Sequence, residues 1–307
     1  MTSKTSTNLA LAITFAFLST LNYGLNPPIV RLAFENGVPV LTSGLLRAVT
    51  MVVFASLFIF LTGRSFQVPN HHRLPVFLLG LATGAVSLCY LSAVAFIPVG
   101  IATIIFFTFP IILLLVSPLL EGESISPRRI GLAVLALIGL AIVLGPAFDG
   151  LDWRGVVLAV CAAFGATAQF LTGRHIADGV RPNTAAFWAN LVSIPAIACA
   201  IFVVHGLLGF SDLLSPFEEN STAIFAVVLV CITYVFAFQL QMASLHHGPA
   251  SVVAPFFYLE PIISISVAAV FLGQHLQPAQ YAGGAIVFIA LIGSAWVSKT
   301  PVQTKKL

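Results

Sequence analysis

Long apolar runs alternate with short polar or Gly/Pro-rich segments along the whole chain. Ten runs can be drawn, at residues 8–25, 39–61, 74–96, 99–119, 130–147, 154–173, 184–209, 222–243, 250–271 and 280–297. An α-helix needs about 20 apolar residues to cross the hydrocarbon core of a bilayer, and most of the runs have roughly this length. The segments between them carry turn residues or charges, as in EGESISPRR and GRHIADGVRPN. The pattern predicts ten transmembrane helices with no soluble domain between them.

The second half of the chain repeats proline and glycine positions of the first half at a displacement of 151 residues. Pro98, Pro110, Gly122 and Pro127 recur as Pro249, Pro261, Gly273 and Pro278. The segments IPVGIATIIFFTFPIILLLVSPLLEGESISP and GPASVVAPFFYLEPIISISVAAVFLGQHLQP therefore align without a gap. This repeat predicts two five-helix units, at residues 8–147 and 154–297. Because each unit has an odd number of crossings, the two should be inverted relative to each other, an arrangement typical of transporters.

Composition supports an all-α integral membrane protein. The 307 residues are 59% hydrophobic and only 7% charged, and the mean hydropathy is +1.06. Soluble domains carry about 25% charged residues, so this chain has too few to cover a surface that faces water. The net charge of +3 comes from loops rather than from a basic patch, so nucleic acid is not an expected partner. The N-terminal apolar run lacks an A-x-A cleavage site, and we interpret it as a retained first helix.

Loop charges predict the orientation in the membrane. With the N-terminus inside, the cytoplasmic segments hold Lys4, Arg64, Arg73, Arg128, Arg129, Arg174, Arg181, Lys299, Lys305 and Lys306. The opposite loops hold only Arg31 and Arg154. Since positive residues concentrate on the cytoplasmic side, we expect a multi-pass protein of the inner (plasma) membrane with both termini in the cytoplasm.

These features resemble a known family. Gly24 after Tyr23 in helix one, Arg47 in helix two and the pair Gly122-Glu123 after helix four are similar to the drug/metabolite transporter superfamily, EamA type. So is the ending PIILLLVSPLLEGESISPRRIGLAVLALIGLAIVL, repeated as PIISISVAAVFLGQHLQPAQYAGGAIVFIALIGSAWV. The resemblance covers roughly residues 8–297. The second half departs from it, because Gln274 follows Gly273 where the first half has Glu123 after Gly122. It implies secondary carriers, often exporters, of amino acids, their derivatives, other small metabolites or drugs.

Two charged residues lie deep within predicted spans. Glu260, in FFYLEPIIS, is the only such acid, and a charge at the bilayer centre costs about 2.5–3.5 kcal/mol even on the lenient insertion scale. It is therefore expected to face a cavity, to have a partner or to be protonated. Its role is either proton coupling or cation binding, or it is structural. A structural acid would either lie beside Pro261, which leaves the Phe257 carbonyl without its helical amide partner, or pair with an arginine. Arg47 is either a ligand for a substrate carboxylate, the ion-pair partner of Glu260, or a packing residue that extends outward.

Proline residues should interrupt two helices in mid-membrane. Pro110 and Pro261 fall at equivalent places in helices four and nine. Proline lacks an amide hydrogen and bends a helix, which frees carbonyl groups to face a cavity. We interpret the two as paired hinges beside the substrate path, with static kinks as the alternative.

A wider set of polar and aromatic residues inside the spans could contact a substrate. It comprises Tyr258, Trp188, Tyr90, Tyr234, Asn22 and Gln169, followed by Tyr23, Asn190 and Gln239. Polar groups in hydrocarbon need partners, so each can instead form a helix–helix hydrogen bond or an interfacial anchor. Tyr258 and Trp188 are expected near the midplane. The cysteines are isolated and the histidines lie in loops or at span ends, so neither a metal site nor a cofactor is expected.

The resulting hypothesis is a secondary carrier that exports a small organic metabolite, such as an amino acid, by alternating access about a midplane cavity. Proton coupling and simple exchange are both open. The alternative is a flippase for a lipid or a lipid-linked substrate on the same scaffold. An enzyme is not expected, because H-E-x-x-H and G-x-S-x-G motifs are absent, and a GxxxxGK[ST] motif for a primary pump is absent too. The stretch GLAVLALIGLA could pack within one chain or in a homodimer.

Overall fold

The computed structural model describes residues 8–121, 127–145, 151–205, 217, 220–271 and 276–299, and these residues form helices joined by short connections. The α-helices are α1 (Leu9–Glu35), α2 (Val40–Leu61), α3 (Arg73–Val94), α4 (Val99–Phe106), α5 (Phe109–Glu121), α6 (Pro127–Leu144), α7 (Trp153–Ile176), α8 (Pro182–His205), α9 (Ser221–His247), α10 (Ala250–Val253), α11 (Leu259–Phe271) and α12 (Pro278–Lys299). Short 3₁₀ helices cover Asn70–His72 and Ala254–Tyr258. Over this part of the chain, ten helical segments are long and apolar enough to cross a membrane. The predicted all-α fold with ten spans is confirmed.

The first helix is longer than predicted. Its apolar run was expected to end at residue 25, before a loop at Asn26-Pro27-Pro28, but α1 continues through both prolines. Contact with α9 explains the difference, because the Asn26 amide donates hydrogen bonds to the Val230 carbonyl at 3.0 Å and to Thr233 Oγ1 at 2.8 Å. Packing along a neighbouring helix thus holds the proline-containing segment in helical form.

The four most extensive helix pairs form a pattern that is kept when the two halves of the chain are exchanged. The most extensive contacts join α1 to α9, α3 to α7, α6 to α12 and α2 to α8. In the repeat, α1 corresponds to α7 and α3 corresponds to α9, so exchange converts the first contact into the second. It leaves the other two pairs as they are. Two repeats related by a twofold axis would give this pattern, although their inversion and their boundaries stay predictions.

A close glycine contact joins the last helix of each half. A Cβ atom on Gly139 of α6 would lie 2.8 Å from the Gly283 carbonyl oxygen, and one on Gly283 of α12 would lie 2.6 Å from the Gly139 carbonyl oxygen. No side chain fits between these backbones. The glycine at position 139, in the stretch GLAVLALIGLA, therefore packs within one chain.

The fourth and ninth spans are broken near their middles. The fourth consists of α4 and α5, and the ninth consists of α10, a 3₁₀ segment and α11. Pro110 and Pro261 lie in the first turns of α5 and α11. A proline ring clashes with the carbonyl four residues earlier, here that of Phe106 or Phe257, and proline lacks an amide hydrogen, so each position favours a kink or a break in the helix. The structure shows the predicted interruptions, and their action as hinges stays a prediction.

Candidate functional site

Five side chains from both halves converge near the breaks. They are Tyr23 of α1, Arg47 of α2, Tyr90 of α3, Tyr234 of α9 and Glu260 of α11, and we call them the central cluster. Glu260 is close enough for charge interactions with Arg47, Tyr23 and Tyr90, and Tyr234 is close enough to Arg47 and Tyr23. Residues far apart in the chain thus form one polar and aromatic centre among apolar helices.

The Arg47 guanidinium is held on two sides within this cluster. Its central carbon lies 4.9 Å from the centroid of the Tyr234 ring, and its Nη2 lies 3.4 Å from the Ser87 Oγ. Among the residues that the structure describes, it makes no ion pair with Glu260 or with any other carboxylate. A guanidinium has five N–H donors, so most of them remain available to a ligand.

Glu260 is partly buried at the first turn of α11, directly after the 3₁₀ segment. Within the described ranges, no hydrogen bond or ion pair engages its carboxylate. The N-terminal end of a helix carries partial positive charge, which favours an acid at this position. The structure therefore places the carboxylate where it can accept a cation or a proton, and it does not provide the arginine contact that a purely structural role would use.

A glycine allows the first helix to approach this acid. A Cβ atom on Gly24 of α1 would lie 2.9 Å from the Glu260 carbonyl oxygen and 2.7 Å from the Ile263 Cβ. Only a residue without a side chain permits such an approach. Gly24 therefore sets how closely Tyr23 and the rest of α1 pack against the start of α11.

A buried chain of hydrogen bonds continues from Tyr23 across four helices. The Tyr23 hydroxyl donates to Gln241 Oε1 at 2.9 Å, and Gln241 Nε2 donates to Gln169 Oε1 at 3.2 Å. Gln169 Nε2 then donates to Thr83 Oγ1 at 3.0 Å. The chain joins α1, α9, α7 and α3, so it links the two halves. Gln169, a predicted substrate contact, is buried in this network. Gln241 and Thr83 were missed, and their only sequence signal is a polar side chain inside an apolar span.

The comparison with protein families decides the class of protein. Residues 10–145 and 153–296 each match the EamA-like transporter family. The chain belongs to this family. The predicted resemblance is confirmed, and the protein is a multi-pass membrane transporter.

Several curated bacterial proteins are similar to this transporter. The threonine/homoserine exporter RhtA of Salmonella typhimurium (strain SL1344) is 25% identical over 240 residues, which cover 78% of this chain and 76% of that protein. A probable amino-acid metabolite efflux pump of Escherichia coli (strain K12) is 21% identical over 292 residues, covering 92% of this chain and 95% of the relative. The uncharacterized transporter YvbV of Bacillus subtilis (strain 168) is 22% identical over 285 residues, covering 89% and 87%.

A protein of known crystal structure shares the fold. It superposes with a TM-score of 0.77 at 18% identity, and the match covers 94% of this chain and 99% of the other. At this level of identity the similarity establishes the fold alone.

Two predicted substrate contacts of the transporter, Trp188 and Tyr258, are not members of the central cluster. Trp188 was expected near the midplane, but its Nε1 donates to the Phe66 carbonyl in the connection between α2 and α3 at 2.9 Å. There it lines a groove of about 1060 Å³ that Arg73 also lines. Tyr258 is 0% exposed, and its ring centroid lies 6.0 Å from that of Phe107, the residue it matches in the repeat. A solute does not reach Tyr258 in the observed conformation.

Tyr90 and Asn22 make hydrogen bonds to a neighbouring helix and within one helix, respectively. Tyr90 shares a hydrogen bond with Thr103 Oγ1 at 2.8 Å, and the Asn22 amide donates to the Leu18 carbonyl of its own helix at 2.9 Å. The described ranges contain no group of three or more His, Cys, Asp or Glu side chains placed to hold a metal ion. The pairs Gly122-Glu123 and Gly273-Gln274 lie outside the described residues.

Proposed function

We propose that this transporter is a secondary carrier that exports a small organic metabolite, such as an amino acid or a related compound. The observation that carries the proposal is the pair of opposite charges in the central cluster. Arg47 and Glu260 both belong to the central cluster but form no ion pair in the described structure, so each charge can bind a solute or an ion. The relatives named as exporters of threonine, homoserine and amino-acid metabolites support this class of cargo.

The chemistry of the central cluster suits a charged organic solute. Arg47 offers N–H donors to a carboxylate, and charge-assisted hydrogen bonds of this kind are roughly twice as strong as neutral ones. Glu260 accepts either a substrate ammonium group or a coupling proton. Tyr23 and Tyr90 can present aromatic surface to apolar parts of a solute. Because the site lies among apolar helices, these interactions are screened less than they would be in water.

We infer that transport occurs by alternating access between two inverted repeats, with both termini in the cytoplasm. The cluster draws residues from both halves, and each half contributes one broken span. Inverted-repeat carriers place their sites beside such breaks. The buried hydrogen bonds from Tyr23 to Thr83 join α1, α9, α7 and α3 beside the cluster, and we expect them to break if the site opens between these helices. Proton coupling through Glu260 and simple exchange both fit this scheme.

Metabolite profiling of cells that overproduce the chain tests the proposal. We expect one or a few carboxylate-bearing metabolites to accumulate outside the cells and resistance to their toxic analogues to rise. Arg47→Gln should abolish both effects while the protein remains in the membrane. Arg31→Gln is the matched control, since Arg31 is exposed and pairs with Glu35 on the same helix. An unchanged profile of soluble metabolites together with lipid scrambling by the purified protein would favour the flippase instead.

A further inference from the structure

Tyr234 connects Arg47 of α2 to Asn190, a completely buried residue of α8. The Arg47 guanidinium lies 4.9 Å from the Tyr234 ring centroid. The hydroxyl of the same tyrosine donates a hydrogen bond to Asn190 Oδ1 at 2.8 Å. Asn190 is 0% exposed and Tyr234 is 6% exposed. These two contacts therefore join Asn190 of α8 to Tyr234 of α9, and Tyr234 to the charged group of Arg47 in α2.

The orientation of each member of this chain is fixed by the one before it. Asn190 Nδ2 donates to the Ala186 carbonyl of α8 at 3.0 Å, so its Oδ1 must point toward Tyr234. Anchoring of the hydroxyl then fixes the far end of the tyrosine side chain. The ring face, where the negative lobe of the aromatic quadrupole lies, is thereby presented to the guanidinium.

We propose that Asn190 and Tyr234 form a positioning pair that orients Arg47 for recognition of a carboxylate on the solute. The proposal rests on the proposed export function and adds residues that set its selectivity. A flexible arginine would reach the centre in many rotamers, and it loses entropy when a solute orders it. Contacts with the Tyr234 ring and with Ser87 already order the Arg47 side chain before a solute binds, so less entropy is lost on binding. The pair should therefore favour solutes with a carboxylate over otherwise identical solutes without one.

The alternative is that the pair only joins α8 to α9, and the two roles have different consequences. A connecting role affects the amount of folded protein and the transport of every solute equally. A positioning role changes the apparent KM for a carboxylate solute and leaves the KM for its primary amide unchanged. The ratio of these two KM values therefore separates the two roles.

The test compares variants of the purified full-length chain in liposomes, with the carboxylate solute found by metabolite profiling and its primary amide as probes. Tyr234→Leu removes the ring, and we expect the KM for the carboxylate to rise about tenfold, the size of effect that a cation–π contact in a desolvated site allows. Tyr234→Phe keeps the ring and should retain most of the selectivity. Asn190→Ala should resemble Tyr234→Phe, because both remove the same hydrogen bond. Both should still raise the KM for the carboxylate measurably, though less than Tyr234→Leu, because the ring remains but its far end is no longer anchored. An unchanged KM in both would remove Asn190 from the positioning role.

A double variant and a control variant complete the design. Tyr234→Phe with Asn190→Ala should be no worse than the more impaired single variant, since residues acting through one contact are not additive. Tyr281→Leu is the control for loss of a tyrosine, because Tyr281 is 65% exposed on α12. An unchanged ratio of KM values in Tyr234→Leu overturns the positioning role. If the wild-type chain moves no carboxylate solute, the proposed function fails and the positioning role fails with it.

Discussion

At the scale of single residues, the two charges inside the spans are the informative features. Arg47 and Glu260 could be found from the sequence because a charge in an apolar run is costly and needs a reason. Their neighbours Tyr23, Tyr90 and Tyr234 were predicted only as members of a wider set of polar and aromatic residues. Gln169 and Tyr90 were equally visible as polar residues in spans, yet Gln169 is buried in a hydrogen-bond chain while Tyr90 belongs to the central cluster. Whether a polar residue in a span faces the central cluster or packs against another helix depends on tertiary packing, which the sequence pattern does not give.

Glu260→Gln tests the role of the acid with little change in shape. We expect gradient-driven transport to fall about ten- to a hundredfold, because hydrogen bonds to a charged group contribute about 1.5–3 kcal/mol. If the carboxylate carries a coupling proton, the pH dependence of transport should also disappear. Rates measured in vesicles across a series of imposed pH gradients give both quantities. Glu35→Gln at the exposed end of α1 serves as the control, and a pH dependence that survives in Glu260→Gln would rule out proton coupling through this residue.

At the scale of helices, sequence patterns located most spans but not their internal structure. The predicted ninth span, 250–271, has the ends that the structure shows, because turn residues mark both edges. The 3₁₀ segment at Ala254–Tyr258 was not predicted beyond a break at Pro261. The extension of α1 past Pro27 and Pro28 was missed, because its cause is a contact with α9. Local rules for proline set a preference that packing against another helix can override.

Gly24 provides a test of packing between α1 and the broken ninth span. Gly24→Ala should lower the free energy of unfolding by about 1–3 kcal/mol, the usual cost of overpacking, because a Cβ there would lie 2.9 Å from the Glu260 carbonyl oxygen. Gly131→Ala is the matched control, since nothing lies within 4 Å of a Cβ at that position of α6. Thermal unfolding in detergent measures both variants. Equal melting temperatures for the two variants would show that α1 does not approach the acid closely.

At the scale of the whole molecule, the repeat in the sequence corresponds to a repeat in helix packing. The matched proline and glycine positions at a displacement of 151 residues predicted two similar halves, and the four most extensive helix pairs are the same four pairs when those halves are exchanged. The ionisable chemistry is unevenly distributed over this common scaffold. Glu260 corresponds to Phe109 in the other half, so only one of the two broken spans carries an acid beside its break. The family membership defines the class of protein, and we expect its specificity to depend on the half that carries Glu260.

Solute counterflow through the purified chain tests the central claim most directly. Liposomes are loaded with an excess of the unlabelled metabolite found by profiling and then diluted into a trace of the labelled compound. A carrier with one alternately exposed site accumulates label transiently inside, and we expect this for the wild-type chain and not for Arg47→Gln. Label that merely equilibrates without overshoot, or lipid that scrambles while no soluble solute moves, would contradict the account.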